Sequence, residues 1–147
     1  MKICLLAAAA ALIAAPALAS PSADQPGSRE PVQIALDTTQ VVNGVEIGCT
    51  GIGQTKLDPR WKAFPVRVEF SNAKAEYLAN SALTLFDQAG HAVASVSCDG
   101  PWILMKLNKG TWRVEGWAPG SSAASRKVTV KPPPSGQSRV VLQFPDA

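Results

Sequence analysis

Histidine is almost missing from this sequence: His91 is the only one in 147 residues. Zinc and copper centres need several histidine, cysteine or carboxylate ligands converging on one point, so no metal and no cofactor is expected. His91 follows Gly90 at a turn and reads as a solvated imidazole. The same scarcity limits nucleophilic chemistry. There is no Gly-x-Ser-x-Gly elbow, and Gly136-Gln137-Ser138-Arg139 supplies only half of one in a loop context. Any Ser–His pair would have to use His91. Charge excess is small as well: 14 Lys and Arg stand against 11 Asp and Glu, scattered with no basic stripe. Nucleic acid is therefore excluded as a partner class.

Long apolar runs are confined to the first residues. Lys2, the run from Ile3 to Ala15 and the small-x-small site Ala17-Leu18-Ala19 make a secretory signal peptide, spanning 1–19 and cleaved near Ala19. The run is too short and Ala-rich for a membrane anchor, and no other span exists. The protein is thus expected in the periplasm or outside the cell. Cys4 leaves with the signal and is misplaced for a lipoprotein, so Cys49 and Cys98 remain. In an oxidising compartment a disulfide is the first expectation and two buried thiols the alternative. Such a bond would stabilise the fold by about 4 kcal/mol.

Ser20 to Pro31 is polar and reads as a disordered leader, which we carry through residues 20–40, with a single domain over 41–147. Gln33–Leu36 and Val41–Ile47 suggest short extended pieces around Asn43-Gly44. Gly48-x-x-Gly51-x-Gly53 lacks the spacing of phosphate loops and reads as a flexible loop whose glycines permit close packing. From Gln54 to Phe64 the strand pattern lapses. Leu57 and Trp61 are four apart, and Asp58-Pro59 can start a short helical turn.

Val66, Val68 and Phe70 alternate with Arg67, Glu69 and Ser71, the pattern of a half-buried strand. Ala82–Phe86 and Ala92–Ser97 form a hairpin around Asp87–Gly90. Cys98-Asp99-Gly100-Pro101-Trp102 then leads into Ile103–Leu107, the turn Asn108-Lys109-Gly110 and Thr111–Val114, read as a central hairpin. Lys127–Val130, a stiff Pro132–Gly136 turn and Arg139–Phe144 complete about seven strands. The pattern predicts an all-β, Greek-key sandwich. In the central strand Ile103, Met105 and Leu107 face one way while Trp102 and Leu104 face the other. Both faces need cover, and the segment holding Ile52, Leu57 and Trp61 is expected over the second, pinned by a Cys49–Cys98 bond.

Glu76–Asn80, Asp87–Gly90, Asp99–Trp102, Leu107–Trp112 and Gly51–Gly53 together resemble small exported bacterial proteins with carboxypeptidase regulatory-like domains. These are similar to prealbumin-like sandwiches found beside peptidase domains. The resemblance covers roughly Gly48 to Phe144 and implies a seven-stranded sandwich with no established activity. Asp99, Gly100, Pro101, Trp102 and Gly110 are its fold-defining residues. The family's usual Leu-Pro-Pro-Gly turn and following Tyr become Asn108-Lys109 with Trp112 here, and Gly110 keeps the positive φ.

Trp112 and Val114 share a face and belong to the core, which puts Arg113, Glu115 and Trp117 on the opposite side or at the strand's end. Trp117 is then either exposed or, as is commoner for a large aromatic, folded onto its own loop. Phe86 is out of phase with Leu83 and Leu85. An exposed Trp beside charged residues suits sugar stacking or a protein contact. The expectation is a non-enzymatic binding or accessory module of the envelope, acting on a glycan or another envelope protein through an edge strand or the Trp117 surface. A small hydrolase pairing two of Glu76, Asp87, Asp99 and Glu115 is the alternative, and a structural spacer a third. Asp87 and Asp99 sit at turns, where Asp caps backbone amides. Oligomeric state is not legible.

Overall fold

The structure, a computed structural model, describes residues 30–120, 125–145 and 147. The expected signal peptide, the expected leader through residue 29 and part of the Ser121–Arg126 connection lie outside them. In chain order the strands are β1 (Val32–Ile34), β2 (Thr38–Val42), β3 (Val45–Thr50), β4 (Val66–Asn72) and β5 (Ser81–Phe86). They continue as β6 (Ala92–Cys98), β7 (Trp102–Met105), β8 (Trp112–Trp117), β9 (Arg126–Val130) and β10 (Ser138–Phe144). The chain is all-β, with two five-stranded sheets ordered β1-β6-β5-β8-β9 and β10-β4-β7-β3-β2. Both are mixed, because β1 runs parallel to β6 and β10 parallel to β4.

Ten strands stand where about seven were expected, and the additional ones precede Gly51. The sandwich begins at Val32 rather than residue 41, so the expected leader extends too far. Ile34 is the one buried residue of β1, and Val42 that of β2, which leaves too few inward positions for alternation to show. Asn43-Gly44 makes the predicted two-residue turn, with φ of 48° and 82° and Val42 opposite Val45. β3 runs through Gly48 to Thr50, where a loop was expected.

The β5–β6 hairpin forms as read. The central hairpin does not. β7 lies in the second sheet between β3 and β4, whereas β8 lies in the first between β5 and β9. The Asn108-Lys109-Gly110 turn therefore arches from one sheet to the other. Gly110 takes φ 142°, and the Trp112 indole N–H donates to the Asn108 carbonyl at 2.9 Å across the bend. A strand buried on both faces needs two ladder neighbours, and β3 and β4 already fill those places.

The main core lies between the sheets. Leu83, Leu85, Val96 and Val114 from the first meet Ile47, Val68, Phe70, Ile103, Met105 and Phe144 from the second. Phe70 and Phe144 stack with ring centres 6.2 Å apart. A second apolar layer sits on the outer face of the second sheet, built from Trp61, Phe64, Trp102 and Leu104. Trp61 covers β7 as expected, but Ile52 and Leu57 do not: they are 45% and 65% exposed. The expectation used a four-residue helical face. Two 3-10 turns form instead, Thr55–Leu57 and Pro59–Ala63, and a three-residue period aligns Trp61 with Phe64 while turning Leu57 outward.

The cover is tied at several points. Asp58 accepts the Arg60 amide at 2.9 Å, and the Trp61 indole donates to the Thr55 carbonyl at 2.8 Å. The Gln137 amide donates to the carbonyls of Trp61 and Phe64, both at 2.9 Å. A Cβ on Gly48 would stand 2.8 Å from the Trp61 ring, so that glycine lets the cover approach. Gly100 lets a different pair approach: a Cβ there would collide with the Thr50 carbonyl at the end of β3.

Cys49 and Cys98 are bonded, fully buried, and join β3 of one sheet to β6 of the other. The bond closes a separation of 49 residues, worth about 4 kcal/mol in the chain-entropy account. Replacing both cysteines by Ala is expected to lower unfolding free energy by up to that amount. Hydrogen exchange should speed up first in β3 and β6; uniform acceleration, or none, would contradict an inter-sheet role.

Candidate functional site

The outer face of the first sheet carries the predicted surface residues. Register places Trp117 opposite Ala82, Glu115 opposite Thr84 and Arg113 opposite Phe86. Ala82 in turn faces Ser97, which faces Gln33. One row across four strands thus reads Trp117, Ala82, Ser97, Gln33. Ser97 donates to the Gln33 side chain, whose amide donates to Asp99 at 2.6 Å. Trp117 is 41% exposed, and its neighbour on β5 is small. Val114 is buried as expected, while Trp112 is only partly so, packed against the core's rim.

The charges of this face are largely matched. The Arg113 guanidinium lies 4.7 Å from the centre of the Phe86 ring, which explains how an out-of-phase Phe is accommodated. Glu115 accepts from Ser125 and stands 3.9 Å from the Lys127 ammonium. At one end of the face an open cleft of about 170 Å³ lies among Asp87, Trp112, Arg113 and Thr129.

The four acids considered for hydrolysis do not converge. Asp87 and Asp99 flank opposite ends of the β6 hairpin strand, about 20 Å apart for seven extended residues. Glu115 lies mid-strand on β8, and Glu76 accepts from Asn72 in the turn after β4. Among the described residues no three His, Cys, Asp or Glu side chains gather as metal ligands. Asp87 caps its turn as expected, accepting the His91 amide at 2.9 Å. Asp99 differs: its carboxylate takes a side-chain amide rather than a backbone one. No helix among the described residues is long and apolar enough to cross a membrane.

That backbone bond from His91, with the imidazole 3.5 Å from the carboxylate, holds Asp87 below the ordinary carboxylate value of 3.8. A depressed folded pKa stabilises above the unfolded value and is lost as pH falls through the folded one. We expect an NMR titration midpoint for Asp87 under 3.8, and in Asp87→Asn a weaker loss of stability on acidification; a midpoint at or above 3.8 would refute the cap.

The most distinctive polar cluster was not legible in the sequence. Glu69 was read as a solvent-side residue of a half-buried strand, and Ser71 likewise, yet both are buried, Glu69 completely. Trp102 is its register partner on β7, so the outer layer closes over β4 too. Arg139 of β10 grips the carboxylate with two bonds, Nε to Oε1 at 2.9 Å and Nη2 to Oε2 at 2.7 Å. The Tyr77 hydroxyl donates to Oε2 at 3.2 Å. Arg67 Nε stands 2.9 Å from Oε1 but off the hydrogen-bond axis, an ion pair without a formed bond. The hydrogen bonds and charge of Glu69 raise the Arg139 pKa above its ordinary value. Glu69→Gln leaves both guanidiniums without a counter-charge. A loss of about 2–3 kcal/mol is expected in denaturant titration, less than for a fully buried pair because Arg139 stays partly in water; an unchanged midpoint would show that the network is inert.

No protein-family model matches this chain, and no curated protein is found to match it in sequence.

Proposed function

We propose that this protein is an exported, non-enzymatic binding module, a prealbumin-like sandwich of the carboxypeptidase regulatory-like kind, that recognises an envelope partner or glycan through the Trp117 face. The observation that carries this reading is Trp117 itself. A large aromatic ring stands 41% exposed on a sheet face whose adjacent row is small and polar. Burial would be the usual fate of such a ring, so its exposure points to a surface kept open for contact. Arg113 and Glu115 project from the same strand on the same side and would frame the contact.

Two further observations support the reading. The candidate catalytic acids are dispersed along different strands and turns, and a hydrolase needs them together. The buried inter-sheet disulfide fits a chain made for an oxidising compartment. The sheet edges serve less well as a docking site, because β1 packs beside β2 and β9 beside β10, so edges of opposite sheets shield one another.

Trp117→Ala should leave the thermal midpoint nearly unchanged and abolish recovery of the bound glycan or envelope partner after mild cross-linking of periplasm. Val141→Ala, an exposed apolar residue of the other sheet, should alter neither. Equal recovery by wild type and Trp117→Ala would remove this face from the function.

A further inference from the structure

On the opposite side of the sandwich, cations gather around aromatic rings in a way the Trp117 reading does not use. Lys56, from the first 3-10 turn of the cover, places its ammonium 5.9 Å from the ring centres of both Trp102 and Tyr77. The Arg67 guanidinium lies 4.4 Å from the centre of the Trp102 ring. Arg139 reaches the same place through Glu69, which also holds Tyr77. Tyr77 and Trp102 meet edge to face at 5.8 Å, and Tyr77 is 43% exposed. Two guanidiniums thus flank one carboxylate, and the Lys56 ammonium stands by the aromatic pair next to it.

Glu69 is fully buried and its oxygens are occupied by protein donors, so it orients the guanidiniums and is not itself open to a ligand. Arg139 uses Nε and Nη2 on it. Arg67 turns its Nε toward Glu69 and stacks one guanidinium face on Trp102, which leaves the Nη edge as its remaining donor surface. Among the described residues no acceptor meets the Arg67 Nη atoms or the Lys56 ammonium. The side chains of Arg67 and Arg139 are 24% and 55% exposed, so both edges reach solvent. Local charge is three positive against one negative, an excess of two.

We propose that Lys56, Arg67 and Arg139, floored by Trp102 and walled by Tyr77, form a binding site for a phosphate-bearing ligand. A phosphate monoester carries close to two negative charges near neutral pH and offers several acceptor oxygens. It therefore matches both the charge excess and the geometry of open guanidinium edges, which a single carboxylate would only half satisfy. The Tyr77 ring gives an apolar wall for whatever the phosphate is attached to. Free phosphate shares this chemistry in full; a phospholipid diester headgroup such as that of phosphatidylglycerol shares the acceptor oxygens but carries a single negative charge.

The test uses the protein with its disulfide intact, and reads the Trp102 indole N–H and backbone amides by NMR. Inorganic phosphate is titrated in one arm; phosphatidylglycerol vesicles, with phosphatidylcholine as control, are added in the other. Lys56→Glu sits in the cover with no ion pair to lose, so it should fold normally and weaken binding at least tenfold. Lys109→Glu, in the inter-sheet arch, should change nothing. Saturable shifts centred on Trp102 with phosphate would assign a soluble ligand. Binding only to phosphatidylglycerol, lost in Lys56→Glu, would assign a headgroup. Shifts spread over all basic residues, no response to either probe, or binding that survives both Lys56→Glu and Arg67→Gln would overturn the proposal. None of these results bears on Trp117.

Discussion

β7 is apolar on both faces, and most of the architecture follows from giving it two covers. Ile103 and Met105 face the space between the sheets, while Trp102 and Leu104 face what would otherwise be water. Leaving two such side chains exposed would forfeit several kcal/mol of hydrophobic burial. The chain answers by laying Pro59–Phe64 over the outside of the second sheet. Once that cover is down it buries more than its target. Glu69, directly opposite Trp102 on the neighbouring strand, loses its water and must be held by Arg139, Arg67 and Tyr77 instead.

The two sides of the sandwich therefore differ in kind. The second sheet is a three-layer arrangement over part of its area, with cations standing on the rings of Trp61, Phe64 and Trp102. The first sheet has one covered face and one open face. On the open side short polar residues are linked to each other, Ser97 to Gln33 and Thr84 to Ser95, and Trp117 stands among them. Recognition by flat contact suits the open face. Anion recognition suits the cation-bearing one, and the disulfide between β3 and β6 holds the two sheets in fixed relation.

Where the sequence was misread, the errors share a cause. The Asn108–Gly110 turn has hairpin chemistry, yet a glycine turn permits an arch between sheets as readily as a ladder within one. The four-residue spacing of Leu57 and Trp61 assumed an α-helical period, and a Pro-started 3-10 turn has another. β1 and β2 showed only as short extended pieces, and residues 32–40 were assigned to the leader, because a strand with one inward residue has no alternation to fix its extent. In each case local pattern was compatible with two outcomes, and contacts far along the chain selected between them.

Composition and order of residues alone settled the all-β class, the β5–β6 hairpin, the Asn43-Gly44 turn and the two-faced burial of the Trp102 strand, whereas the exposure of Trp117 was decided by the structure. The former follow from periodicity and turn chemistry, which act over a few residues. The pairing of Cys49 with Cys98 was likewise foreseen, since only these two cysteines lie outside the expected signal segment. The tertiary structure alone decided that β7 and β8 part company, that Phe64 joins Trp61 in the cover, and that Glu69 is buried between two arginines. Those outcomes depend on which strands become neighbours: β10 beside β4, 70 residues apart in the Arg139–Glu69 bond, brings together charges that no spacing along the chain connects.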